Sequence, residues 1–436
     1  MIPREKYLNQ LIASKDNGFP KVITGIRRCG KSYLLGEIYQ NYLLASGIDK
    51  EDILYIGLDD DKNSALRDPV ALGIYVRRFA EGKKKCYVFL DEVQRVFTLA
   101  NPALHEGRHI LAQGGDQETI SFVDVVLGLS HENNIDLYVT GSNSKMLSSD
   151  IVTEFRDKAT DIAISPLSFE EFYAYQGGSK TDALFSYMEY GGMPLAVLKE
   201  SEEERREYLK GLFETTYFRD IVEHNRLRKS ESLDELASII SSTTGSLLNS
   251  EKIADTFRSV KKEAMDKETV ESYLSYFKDA FLLREAKRFD LKGRKEVGAL
   301  RKYYFVDPGL RNAQLNFSFS DEGQLLENIV YNELIYEGYT VNVGCFDSIE
   351  KNREGKSLRK TNEVDFFAVK GTRRYYIQVS AGLAEATVKS REFRPFLLLR
   401  DPVQRIIVIN KPVGESLAEN GITVIGAADF LLRFIK

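Results

Sequence analysis

The sequence predicts an α/β fold, and three stretches predict it. Residues 21–24 (KVIT) form a short apolar run, followed by 25–32 (GIRRCGKS) and a helical pattern of Tyr33, Leu34, Leu35, Ile38 and Tyr39. Residues 86–92 (CYVFLDE) form a continuous apolar run that ends in two carboxylates. Residues 135–140 (IDLYVT) form another, ending in Gly141-Ser-Asn-Ser144. Runs of this kind read as strands covered on both faces of a parallel sheet. A further strand is expected at 53–58 (ILYIGL); Asp59, Asp60 and Asp61 after it read as a solvated loop rather than a metal site.

The first stretch matches GxxxxGK[ST], between a strand and a helix. Gly25 and Gly30 permit turns that a β-carbon would obstruct, so a row of backbone N–H groups can face phosphate oxygens. The helix that follows adds its positive end. Lys31 is then placed on the β- and γ-phosphates and Ser32 on a metal, which makes ATP and Mg2+ the expected cofactors. The nucleotide-contacting set is Gly25, Arg28, Cys29, Gly30, Lys31, Ser32 and Tyr33. Arg27 and Arg28 cannot both face phosphate; one pairs with a nearby carboxylate or reaches a neighbouring subunit. Cys29 is either a thiol of lowered pKa beside Lys31 and a helix start, or a small residue that the turn tolerates. In the second stretch Asp91 is assigned to the metal and Glu92 to the attacking water. In the third, Asn143 and Ser142 are candidates to position that water.

Length and composition bound the rest. At roughly 150 residues per domain, 436 residues suggest about three domains. The formal net charge of −5 excludes nucleic-acid binding through bulk charge and leaves room only for a local basic patch. Cys29, Cys86 and Cys345 form no CxxC pair, which argues against a disulfide scaffold or a zinc ribbon. A reducing, cytoplasmic home is the expectation. The start carries Arg4, Glu5 and Lys6 without an apolar core, unlike a signal peptide. No apolar run reaches the roughly 18 residues of a membrane span, so no membrane partner is expected.

Taken together, GIRRCGKS, FLDEVQ, YVTGSNSKMLSSDI, PLSFEEF and YGGMP resemble the bacterial and archaeal AAA-type ATPases (AAA_14-like) that carry a C-terminal DUF4143 domain. The similarity extends over essentially the whole chain. It implies an ATP-binding P-loop core, a lid, a winged-helix segment and a nuclease-like C-terminal domain. It also resembles regulatory ATPases that act as nucleotide switches. Members often carry a Gly-Arg pair in a stretch that here reads FRDKATDI, residues 155–162. Arg156 is retained, but the pair reads Asp157-Lys158, and lysine lacks the planar fork of arginine. Arg156 therefore becomes the arginine-finger candidate; for both residues a plain surface role is the alternative. In related switch ATPases a GxP motif sets a proline against the base. Gly192-Met193-Pro194 matches it, with helix termination as the other reading of Pro194.

The expected division is a P-loop core at 1–165, a helical lid at 166–228, a winged helix at 229–315 and a restriction-endonuclease-like α/β domain at 316–436. In the lid, Ser168 is a natural cap, with Glu170 and Glu171 in the first turn. Leu233, Leu236, Ile239 and Ile240 then recur at helical spacing, Asn249-Ser250 caps a helix over 251–260, and Asp266 caps one carrying Val270, Tyr273, Leu274, Phe277 and Phe281. Strands at 282–289 and 300–306, joined through Lys292, Arg294 and Lys295, complete a winged-helix order. Its functional reading is DNA contact through the third helix and the wing. That helix mixes Lys267 and Lys278 with Glu268, Glu271 and Asp279, so packing is the competing role. In the last segment Glu327 and Asp365 match the acids of a nuclease site, but Gln378 and Ser380 stand where Glu and Lys would be needed on one strand face. Cleavage is not expected, with Lys389 as the one stand-in cation. The stretch 101–130 is longer than a crossover requires and is expected to be a helical insertion. The predicted activity is a Mg2+-dependent ATPase working as a nucleotide-driven switch. The alternatives are a DNA-binding regulator, a nuclease-type protein, or a scaffold for a partner protein or self-association.

Overall fold

The computed structural model of the protein describes residues 2–113, 116, 118–142, 159–225, 227, 230–261, 265–318, 321–351, 357–383, 386–418 and 420–436. The chain forms two compact units, Met1–Ser165 with Asp279–Phe281, and Pro166–Lys278 with Leu282–Lys436.

In the first unit, strands β1 (Lys21–Thr24), β2 (Ile53–Gly57) and β3 (Cys86–Asp91) precede a short antiparallel pair, β4 (Leu99–Ala100) and β5 (Thr119–Ile120). Strands β6 (Ile135–Gly141) and β7 (Thr160–Ala163) follow. The five longer strands form one parallel sheet in the order β2-β3-β6-β1-β7. Every residue of β3 and β6 is buried, as their unbroken apolar runs demand. Helix Pro69–Ala80 covers the sheet through Leu72, Val76 and Ala80. Asp68 caps it by accepting the N–H groups of Val70 (2.8 Å) and Ala71 (3.0 Å). Only Phe122–Ser130 of the expected helical insertion is a longer helix, started by a Ser121–Asp124 capping box. The residues before it hold a single turn, Pro102–Leu104, and the β4–β5 pair. The sheet itself holds a buried ion pair: Lys21 is fully buried and pairs with Asp136, which also accepts the Tyr138 hydroxyl at 2.7 Å.

The second unit opens with helices Phe169–Gln176, Lys180–Tyr190, Pro194–Val197 and Glu202–Gly211. Helices Ser230–Ser242, Ser250–Lys261 and Lys267–Asp279 follow, then β8 (Leu283–Asp290) and β9 (Lys295–Phe305). The order is the expected one, but the hairpin is not a free wing. Strand β8 pairs in parallel with β10 (Thr340–Lys351), so the hairpin extends a sheet that continues through β11 (Ser357–Lys370), β12 (Arg373–Ser380), β13 (Gln404–Ile409), β14 (Ser416–Ala418) and β15 (Ile422–Gly426). The sheet order is β14-β15-β13-β12-β11-β10-β8-β9. A division at 315/316 therefore cuts through one hydrogen-bonded sheet. Lys278 pairs with Glu285 at 2.9 Å and Lys267 with Glu271 at 3.6 Å, so both lysines of the third helix already face acids. No helix among the described residues is long and apolar enough to cross a membrane.

Two buried carboxylates hold the turns of this unit. Asp307 accepts the N–H of Gly192 at 2.6 Å and that of Leu310 at 3.1 Å. Glu333 accepts the N–H of Phe169 at 2.7 Å. Burial pushes both carboxyls up to about 7. The unfolded chain releases these protons near pH 4. Between pH 4 and 7 the folded state thus binds more protons, and stability falls as pH rises. Thermal unfolding is expected at a lower midpoint at pH 8 than at pH 5. Asp307→Asn should remove a share on the order of a few kcal/mol of that difference. An identical pH dependence in the variant would count against a proton held by Asp307.

Candidate functional site

The phosphate-loop geometry begins at Gly25. Its φ is +146°, and a β-carbon there would stand 2.3 Å from the carbonyl oxygen of Ile164. Gly30 has a φ of +100°, and Leu34 donates its N–H to the Gly30 carbonyl at 2.9 Å to start the helix over 31–45. Lys31 is buried. Its ammonium donates to the carbonyl oxygens of Gly25 (3.0 Å) and Ile26 (3.2 Å), which draws the loop around it. Arg4, also buried, reaches the carbonyls of Cys29 (3.4 Å) and Ser165 (2.7 Å). Cys29 is fully buried and directs its Sγ to the carbonyl of Ile164 at 3.7 Å. That placement favours the small, tolerated residue over the exposed, oxidisable thiol. Arg28 (φ +67°), Ser32 and Tyr33 are exposed.

The acids stand at the same edge of the sheet. Asp91 accepts the Tyr55 hydroxyl at 2.6 Å and the Thr140 hydroxyl. The Thr140 oxygen in turn accepts the N–H of Glu92 at 3.0 Å. Burial together with the charge of Asp91 pushes the Tyr55 phenol up, so it stays a donor. Ser32 and Asp91 are the hydroxyl and the carboxylate assigned to the metal. These are hard oxygen donors of the kind Mg2+ takes, and the residues present fit that ion. Glu92 has a φ of +59°, a left-handed conformation that costs about 1–3 kcal/mol outside glycine. Its carboxylate accepts from the Gln94 side-chain amide and, at 3.4 Å, from the Ser142 hydroxyl. The structure thus brings together Gly25, Gly30, Lys31, Ser32, Asp91, Glu92 and Ser142. Asn143, Arg156 and Lys158 lie outside the described residues. Pro194 belongs to the second unit, where it begins the short helix Pro194–Val197. Sequence reasoning missed Arg4, Tyr55, Gln94 and Thr140. Thr140 alone carried a signal, as a hydroxyl near the end of an apolar strand beside the acidic one.

Comparison with known proteins gives a family. The family described as "AAA domain" (AAA_14) matches residues 17–173. A Haemophilus influenzae protein described as uncharacterized is 32% identical over 439 residues, covering 99% of this chain and 99% of its own length. The chain belongs to this family of AAA-domain proteins. A Methanocaldococcus jannaschii relative, uncharacterized protein MJ1544, is 27% identical over 86% of this chain and 77% of its own. The solved structure of the Walker-type ATPase PABY2304 of Pyrococcus abyssi covers 72% of this chain and 96% of its own, at 14% identity and a TM-score of 0.48. A second family, described as a domain of unknown function (DUF8612), matches residues 181–321. DUF4143, implied by the motifs, gains no support from that match.

The AAA-domain protein carries a second polar cluster, in its other unit. Lys302 of β9 lies 2.9 Å from Glu327, 2.8 Å from Glu363 and 3.6 Å from Asp365. The Tyr304 hydroxyl donates to Glu327 at 2.6 Å, and the Val379 N–H to Asp365 at 2.8 Å. Gln378 and Ser380 line the same cavity of about 520 Å³. The cation among these acids is Lys302, on a strand 78 residues before Ser380 in the sequence. Its three carboxylate neighbours keep the ammonium charged, while burial and Glu327 push the Asp365 carboxyl up. Among the described residues no cluster of His, Cys, Asp and Glu is arranged to hold a metal ion. Removing the buried ammonium would leave acids facing one another. Lys302→Met is expected to destabilise the protein by about 3–5 kcal/mol in denaturant unfolding. A loss under about 1 kcal/mol, typical of exposed pairs, would refute the buried-pair account.

Proposed function

We propose that this nucleotide-binding AAA-domain protein hydrolyses ATP with Mg2+ and uses the cycle as a switch. The observation that supports it most is the convergence of Lys31, Ser32, Asp91 and Glu92 at one sheet edge, with Tyr55 and Thr140 fastening the acids. Bound Mg2+ would supply charge neutralisation and polarisation of the transferred phosphoryl group. Lys31 holds the phosphate oxygens, Ser32 and Asp91 hold the metal, and Glu92 aligns and polarises water. Asn143 and Arg156 are proposed as further groups at the γ-phosphate, and Pro194 as the contact to the base. In this reading residues 166–228 act as the lid. The three helices over 230–279 are a winged-helix derivative whose hairpin has joined the C-terminal sheet. That sheet, with Glu327 and Asp365, is read as a nuclease-like scaffold in which Lys302 occupies the acid cluster. Lysine at 158 in place of the family's arginine makes turnover slow without a partner.

The test is ATP hydrolysis by the purified chain with and without DNA, against Glu92→Gln. That variant should bind nucleotide as the wild type does and lose about 100-fold or more of its hydrolysis. Hydrolysis retained in Glu92→Gln would sink the role given to Glu92. Lys31→Ala should weaken ATP binding by about 10- to 100-fold, the worth of one charge-assisted contact; unchanged affinity would contradict the loop assignment. Stimulation by DNA would make the second unit a nucleic-acid sensor. Its absence would direct the switch to a protein partner.

A further inference from the structure

Gln94 belongs to the FLDEVQ stretch, yet the chemistry above gives it no task. It sits in the single turn Val93–Arg95, whose start is Glu92 in its left-handed conformation. Its side-chain nitrogen donates both to Oε2 of Glu92 and, at 3.0 Å, to the hydroxyl of Ser142. Ser142 reaches the same Glu92 oxygen at 3.4 Å. Two donors, one just after β3 and one just after the neighbouring β6, therefore close on one carboxylate oxygen. The orientation of the amide follows from chemistry, because turning it over would set its oxygen against the carboxylate. The Gln94 oxygen is buried and accepts no hydrogen bond from any described residue.

A glutamate side chain has three rotatable bonds, and a carboxylate that must align one water gains from having them fixed beforehand. The left-handed backbone sets where the Glu92 side chain leaves the strand, and the Gln94 amide sets where it ends. We propose that Gln94 is the positioning residue for Glu92. Its NH2 group bridges the carboxylate to Ser142 and so holds the free Oε1 in the one direction available for water. The inference rests on the ATPase reading and adds a residue to it.

Gln94→Ala removes the clamp; Gln94→Glu keeps its size but opposes one carboxylate with another. Both are expected to lower kcat about tenfold or more, toward what loss of a preorganised donor costs elsewhere. KM and the affinity for Mg·ADP, measured by calorimetry, should stay within about twofold, since neither residue is assigned to ground-state binding. Trapping of Mg·ADP with tetrafluoroaluminate, which reports the aligned water without turnover, should weaken in step with kcat. Variants that hydrolyse and trap like the wild type would overturn the inference. So would loss of Mg·ADP affinity in parallel with kcat in both variants, which marks a merely structural residue. A wild type that binds ATP but neither hydrolyses nor traps would instead overturn the ATPase reading, and this inference with it.

Discussion

The order of the first sheet decides where every reacting group can stand. Strand β6 lies between β1, which feeds the phosphate loop, and β3, which ends in Asp91. Parallel strands finish at one edge, so all three ends point to the same crevice. Two strand spacings separate the loop strand from the acidic strand, roughly 10 Å. That is a span for a phosphate tail and a metal, and too wide for Lys31 to neutralise Asp91 directly. The intervening strand supplies what fills the gap. Thr140 bonds Asp91 and the Glu92 backbone together, and Ser142 reaches the Glu92 side chain. Strand β6 is thus structural support for the acids.

The second unit follows a different rule: it buries charge and satisfies it. The two glycines of YGGMP are required there by packing. A β-carbon on Gly191, at φ +69°, would lie 2.1 Å from Asp307, and one on Gly192 would lie 2.2 Å from the carbonyl of Leu167. The stretch that carries the GxP pattern is therefore clamped to a carboxylate from just beyond β9. PLSF is clamped in the same way, through the Phe169 N–H to Glu333. Motifs that look like separate lid signatures are anchored by acids that come from the C-terminal half of the chain.

How much of this was legible follows from the range of each contact. The core strands were, because a strand buried on both faces leaves an unbroken apolar run. The phosphate loop and its acids were, because their chemistry needs fixed residue types at fixed spacing. The joining of the hairpin to the C-terminal sheet was not, because β8 meets a strand more than fifty residues away through backbone hydrogen bonds that leave no side-chain signature. Lys302 was missed for a related reason. A period-two argument on β12 finds position 380 lacking a cation, but it cannot see a lysine arriving from β9. Lys21 and Asp136 drew no notice within their runs; only the parallel pairing of β1 with β6 makes them a buried pair. Tyr55 similarly meets Asp91 across paired strands, 36 residues apart.

The hydrogen bonds already present set what the first site can select. Lys31 is bonded to two neutral carbonyls, Asp91 to two neutral hydroxyls, and Glu92 to a neutral amide and a hydroxyl. Among the described residues, none of these three charged groups is paired with an opposite charge. Lys31 keeps one N–H and each carboxylate keeps acceptor positions, so a charged ligand can add to these neutral bonds, and an uncharged one would gain little. Charge-assisted bonds are roughly twice as strong as neutral ones. A triphosphate would offer anionic oxygens to Lys31, and a divalent cation its charge to Asp91, contacts that neutral ligands do not supply. Tyr55 and Thr140 thus hold Asp91, and Gln94 and Ser142 hold Glu92, without help from any charged partner of their own.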